Sequence, residues 1–141
     1  TLTAVLQLGQ AVIEKPFIVK VLEQTYGYLL TYVVSGDTDE TDSLHIAYSL
    51  DGKNYTALYN NQPIRYAGKG TNKMGSPALF RKADGTYGLI AADNNSTSYI
   101  LLYDSEDLLT YTNERLIQIG GNGINVKNPI CFYDTSVQAY R

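Results

Sequence analysis

Short apolar runs recur along this chain, and Gly, Asn and Asp punctuate them. Tyr28 to Val34, Leu44 to Leu50, Thr86 to Ala92 and Tyr99 to Tyr103 are rich in aromatic and β-branched residues, which suit pleated, half-buried strands. Thr1 to Gln10 alternates more loosely and reads as an outer strand. Asp51-Gly52 and Asp84-Gly85 sit between such runs and predict hairpin turns. Tyr55 to Tyr59 and Tyr111 to Ile119 would be returning strands. Ser35 to Ser43, Asn60 to Gly75 and Gly120 to Gly123 are polar or glycine-rich and read as loops.

Two phrases recur. Ser49-Leu50-Asp51-Gly52-Lys53-Asn54-Tyr55-Thr56 and Ser105-Glu106-Asp107-Leu108-Leu109-Thr110-Tyr111-Thr112 both read S-x-D-x-x-x-Y-T. Ser105 follows Ser49 by 56 residues, and the Asp, Tyr and Thr keep that offset. Apolar runs opening with Pro begin at Pro16, Pro77 and Pro129. Pro is tolerated at the head of a strand, where its missing N–H removes no ladder bond. A four-stranded unit returning every 40–60 residues or so is the signature of propeller blades. The expected fold is therefore all-β: a β-propeller segment of about two and a half four-stranded blades over residues 1–141. Blade 1 covers about 12–60, blade 2 about 76–119, and blade 3 starts at about 126–141. A β-sandwich is the competing architecture. Closing a ring takes about four to eight blades. The chain is thus expected to be a piece of something larger, its remaining blades coming from a parent chain, a partner chain or self-association.

Composition narrows the function classes. Hydrophobic residues make up 44% of the chain, enough for a core, and the net charge of −3 gives no surplus of Lys and Arg for a nucleic-acid face. No apolar run reaches the ~18 residues of a membrane-spanning helix. One cysteine, Cys131, leaves no internal disulfide to form and reads as a small buried hydrophobe. Tyrosine is abundant, with 13 against 3 Phe and no Trp. Most of these rings are expected to pack in strands, although Tyr also suits sugar contacts.

Propeller topology assigns loops to rims. The connections before each Pro-led strand and the loop from second to third strand share one rim. The S-x-D phrases lie at the other. Lys15, Ser76 and Asn128, each just before a Pro, should surround the axis at one mouth, with Lys127 and Asn94 beside them. Such a concave mouth is the default binding site. Asp51 and Asp107 are read as turn residues whose carboxylates accept backbone N–H bonds.

The Pro-led first strands, the Ala83-Asp84-Gly85-Thr86-Tyr87 hairpin and the S-x-D phrase resemble the five-bladed propellers of family 43 glycoside hydrolases and their relatives in families 32, 62 and 68. The resemblance covers residues 12 to 134, roughly half of such a propeller. It implies a carbohydrate partner, degradation of poly- or oligosaccharide, no cofactor, and an extracellular or periplasmic, bacterial-type secreted protein. In that family an Asp before the first-blade Pro is the general base. A second Asp, before the second-blade Pro, tunes it, and a Glu before the third is the general acid. Inversion at an acetal carbon needs one carboxylate to activate water and one protonated acid for the leaving group. This chain departs from the pattern at all three places, with Lys15, Ser76 and Asn128. The acids nearest these positions are Glu14, one residue further back, and Asp93, after the second strand of blade 2. They are the catalytic candidates, and a hydrolase would need them about 6–9 Å apart. Lys15, Ser76, Asn94, Lys127 and Asn128 are the substrate-binding candidates. The alternative is a non-catalytic carbohydrate-binding or interaction propeller.

Two further constellations carry weaker chemistry. Asp37-x-Asp39-Glu40-x-Asp42 offers oxygen ligands of the kind Ca²⁺ takes. It lacks the Gly and terminal Glu of a calcium loop and reads as a solvated acidic loop. His45, inside a strand, reads as a satisfied core histidine rather than a ligand.

Overall fold

The computed structural model describes residues 2–8 and 11–17 as backbone strands, and residues 26–36 and 42–141 in full. The chain is all-β, in the arrangement of a partial β-propeller. Strands β1 (Leu2–Leu8) and β2 (Ala11–Phe17) pair antiparallel. Strands β3 (Tyr28–Tyr32), β4 (His45–Ser49) and β5 (Thr56–Ala57) form a three-stranded sheet in that order. Strands β6 (Met74–Arg81), β7 (Tyr87–Asp93), β8 (Tyr99–Ser105) and β9 (Thr112–Gln118) form a four-stranded antiparallel meander. A short pair, β10 (Tyr133–Asp134) with β11 (Ala139–Tyr140), follows.

The meander forms because each connection is short and its residues suit the turn. Lys82 N donates to Thr86 O, and Asp84 accepts from the Thr86 amide and hydroxyl. Gly85 takes φ +87°, which a side chain would resist. Gly88 stands directly opposite Phe80, and a Cβ there would collide with the ring. The glycine thus lets Phe80 lie across β7, where its ring meets Tyr140 edge-on at 6.0 Å.

The core lies between the two larger sheets. Leu44 and Ile46 from the first meet Met74, Leu89, Ala91, Leu101 and Tyr103 from the second. Leu89 and Ala91 alternate with Gly88, Ile90 and Ala92, and all five are buried, so β7 has both faces covered. Tyr103 is buried, and its hydroxyl donates to Glu114 Oε1 at 3.0 Å. Burial, with the negative charge of Glu114, pushes the Tyr103 phenol well above its ordinary range.

Several expectations change in detail. Pro16 does not head a strand: it is the penultimate residue of β2, opposite Thr3. The expected run through Ile18 and Val19 continues outside the described residues. Tyr55 to Tyr59 shortens to β5 followed by a 3-10 turn at Leu58–Asn61, where Tyr59 and Asn60 take φ of +52° and +54°. Two consecutive left-handed residues turn the chain out of the extended region and end the ladder there. Asp51-Gly52 turns a broader loop than a two-residue hairpin, because Asp51 draws the amides of Lys53 and Asn54 onto its own carboxylate. Pro129 to Cys131 pair with no strand among the described residues, and the third ladder opens at Phe132, which exchanges backbone bonds with Arg141.

Candidate functional site

The register of the meander fixes two rims. Met74 pairs with Asp93, and Tyr99 with Gln118, at one end. Arg81 pairs with Tyr87, and Tyr87 with Ser105, at the other. The S-x-D loops lie at the second end. They close with matching bonds. Ser49 Oγ donates to Asp51 Oδ1 at 2.9 Å, and Gly52 N donates to Ser49 Oγ. Ser105 Oγ donates to Asp107 Oδ1 at 3.4 Å, and Leu108 N donates to Ser105 Oγ. Two backbone amides reach each aspartate: Lys53 and Asn54 for Asp51, Leu109 and Thr110 for Asp107. These amide bonds, from Asn54 and Thr110 foremost, hold both carboxyls below the ordinary aspartate range.

The same rim opens into a polar cleft of about 440 Å³ lined by Lys82, Asp84, Asp104 and Asp107 among others. Three of its acids, Asp84, Asp104 and Asp107, are engaged. Asp104 accepts from Lys82 at 3.2 Å, Arg115 at 2.9 Å and Asn113 at 2.7 Å. Burial would raise its pKa, but these partners together hold it low. Carboxylates so committed are poor proton donors at neutral pH.

The first rim differs. Ser76 sits on an irregularity of β6 between Gly75 and Ala78, with φ +47°. Asn128, also directly before a Pro, has φ +49°. A left-handed residue before proline is unfavourable, and two of them meet here. Ser76 Oγ donates toward Asn128 Oδ1 at 2.8 Å and toward Asn95 Oδ1 at 3.1 Å. Asn94 and Asn95 are left-handed too, at +56° and +50°. Gly75 makes room, since a Cβ there would strike the Asn95 amide. Ser76 and Asn95 are half-buried, while Lys127 and Asn128 are exposed. Asn94 is half-buried, and its backbone N–H donates to Lys73 O at 3.0 Å. The cluster of Ser76, Asn95 and Asn128 therefore presents amides and a hydroxyl rather than charge.

Asp93 stands at this rim with 2% exposure, and both oxygens of its carboxylate accept hydrogen bonds. It accepts from the Thr71 amide at 2.9 Å, the Thr71 hydroxyl, and the Thr97 hydroxyl at 3.1 Å. Gly70 keeps φ +67° and leaves the space the carboxylate occupies, since a Cβ would lie 2.6 Å from Oδ2. Asp93 therefore ties the loop of residues 69–72 to the start of the 94–98 loop. Glu14 is in β2 opposite Val5, and Lys15 opposite Ala4; their side chains are outside the described residues. Ser76 and Asn128 are brought into contact.

Sequence reasoning passed over two residues. Asn95 was legible only as the second of two adjacent asparagines. Glu114 gave no signal of its own within the Tyr111 to Ile119 run. It receives Gly68 N at 2.8 Å, Lys69 N at 2.9 Å, Tyr103 OH and Arg65 Nη2 at 3.1 Å. Burial opposes its ionisation, but those bonds and the Arg65 charge outweigh burial and hold the carboxyl below its ordinary value. The Arg65 guanidinium also lies 5.4 Å from the centre of the Tyr103 ring.

Of the acidic loop, residues 37–41 are outside the described residues. Asp42 is paired with Lys73 at 3.0 Å. Among the described residues no group of three or more His, Cys, Asp or Glu could hold a metal ion. His45 is buried in β4 and stacks on Tyr32 at 5.3 Å.

Comparison with known families matches residues 23–141 to a family 43-related domain, described as a probable glycosyl hydrolase domain. No curated protein and no solved structure matches the chain. The matched span covers more than half of the chain, so the chain belongs to this family of glycoside hydrolase 43-related domains, a carbohydrate-associated class.

Proposed function

We propose that this domain binds carbohydrate at the mouth formed by Ser76, Asn95 and Asn128, and that the described residues do so without hydrolysing it. The observation that carries this reading is the meeting of two left-handed, proline-preceding residues, Ser76 and Asn128, with Asn95 between them. Strained backbone is retained where surrounding structure over-determines it, commonly at ligand sites. Amides offer paired donor and acceptor groups that match neighbouring sugar hydroxyls. Asn94 and Lys127 flank the cluster and extend it along the rim.

The chemistry of hydrolysis is not met by these groups. Neither Ser nor Asn can supply a proton as a carboxylic acid does, and Asp93 is held by Thr71 and Thr97. On this reading the remaining blades of the ring lie outside these residues.

The test is titration with xylo- and arabino-oligosaccharides beside an aryl-glycoside hydrolysis assay. Asn128→Ala should weaken binding about 3- to 10-fold, the loss of one net hydrogen bond of ~0.5–1.5 kcal/mol. Hydrolysis should be absent. Turnover that disappears in Glu14→Gln would instead establish a hydrolase built on that acid.

A further inference from the structure

Ten asparagines are spread along the chain, and Asn122 alone is followed by glycine. The pair lies in the connection that leads from β9 to the mouth. That connection is pinned at both ends. Ile119 N and Gly120 N donate to Ser98 O at 3.0 and 3.1 Å, and Val126 N donates to Thr97 O at 2.7 Å. Between the pins a turn closes from Ile124 N to Gly121 O at 3.1 Å, with Asn122 and Gly123 at its tip. Both tip residues are exposed. Gly123 has φ +81°, and no atom lies within 4 Å of where its side chain would stand. Its N–H finds no acceptor among the described residues. A solvated backbone nitrogen directly after an asparagine is a nucleophile within reach of the side-chain carbonyl, and glycine adds no Cβ to crowd the approach.

We propose that Asn122 is a modification site, at which the native turn deamidates without an enzyme. The Gly123 nitrogen loses its proton to solvent base and attacks Asn122 Cγ. A new N–Cγ bond closes a five-membered imide. The Cγ–Nδ2 bond breaks, and the side-chain nitrogen leaves as ammonia with a proton taken from water. Water then adds to one imide carbonyl or the other and opens the ring, to Asp or to isoAsp.

The asparagines of the mouth are spared by their own geometry. Asn128 precedes Pro129, which has no N–H to attack with. Asn95 precedes the small Ser96, but Ser96 N is turned to Asp93 O at 3.4 Å, and the Asn95 amide accepts from Ser76 at 3.1 Å. Reaction at Asn122 therefore adds a carboxylate to the connection that carries Lys127 and Asn128. The isoAsp route also inserts a backbone carbon between the two pins. Weaker sugar binding by the altered mouth should follow, and only this consequence rests on the proposed function.

The site is tested without any sugar. The chain would be aged at mildly alkaline pH, folded or in urea, and digested with trypsin. Cleavage after Arg115 and Lys127 releases residues 116–127, and cleavage after Lys82 and Arg115 releases residues 83–115, which carry Asn95. Mass spectrometry should find Asp and isoAsp at Asn122. The folded rate should lie within about tenfold of the rate in urea, a barrier rise of no more than ~1.4 kcal/mol. The 83–115 peptide should lag behind, and Asn122→Gln should abolish the change in 116–127. A folded chain slowed by more than that factor overturns the proposal, as does a change that appears first in 83–115 or survives in Asn122→Gln. A confirmed site in a chain that binds no oligosaccharide would leave this inference standing and remove the functional one.

Discussion

The two rims of the meander use polar side chains in opposite ways. At the far rim, Asp51, Asp107, Asp84 and Asp104 are numerous, but each is spent on backbone amides, hydroxyls or cations. At the mouth, Ser76, Asn95 and Asn128 are fewer and neutral, and they bond chiefly to each other across strained backbone. The difference lies in whether each group's partners are mostly local amides or convergent side chains from separate loops.

Asp93 is the residue that could break this contrast, being an acid at the mouth. Asp93→Ala should destabilise the fold by about 1–3 kcal/mol, the cost of leaving buried partners unsatisfied, read as a lower midpoint in chemical denaturation. Unchanged stability would mean that the carboxylate is free for another task. Glu114→Gln comes next, at about 1–2 kcal/mol, because Arg65 and two amides lose a charged acceptor. Its folded pKa is depressed. The stabilisation is therefore present above the unfolded value near 4.5 and is lost as pH falls through the lower folded value. Thermal midpoints measured from pH 6 down to 3 should fall less steeply in Glu114→Gln than in the unsubstituted protein.

Gly88→Ala sharpens the contrast from the packing side. It should lower the melting temperature by forcing Phe80 off β7, and it should leave oligosaccharide affinity unchanged, because Phe80 lies toward the far end of β6. The smallest effect on stability is expected at exposed Asn128. Asn128→Ala should shift the midpoint by no more than about 0.5 kcal/mol while weakening binding.

Much of the fold was legible because two signals agree locally. The S-x-D-x-x-x-Y-T phrase carries its own loop chemistry, with Ser and Asp capping amides within three residues. Asp84 does the same for Thr86. Such bonds span few residues and can be read from spacing. Glu114 could not be read this way, since its partners at Arg65, Gly68 and Lys69 lie more than forty residues away. The role of Asp93 was hidden for the same reason: Thr71 precedes it by 22 residues across a loop. Tyr59 and Asn60 look like strand and loop residues in sequence, and only their left-handed backbone ends β5. At the mouth, Ser76 and Asn128 were legible from the prolines that follow them, and Asn95 was not, because its contact depends on the space left by Gly75.

The most direct test of the account sets one residue from each rim side by side. Xylo- and arabino-oligosaccharides would be titrated calorimetrically into Asn128→Ala and Asp107→Ala. The account predicts weaker binding, about 3- to 10-fold, for Asn128→Ala. For Asp107→Ala it predicts unchanged binding with a lower melting temperature. Loss of binding in Asp107→Ala with full affinity in Asn128→Ala would contradict it and move the site to the acidic rim.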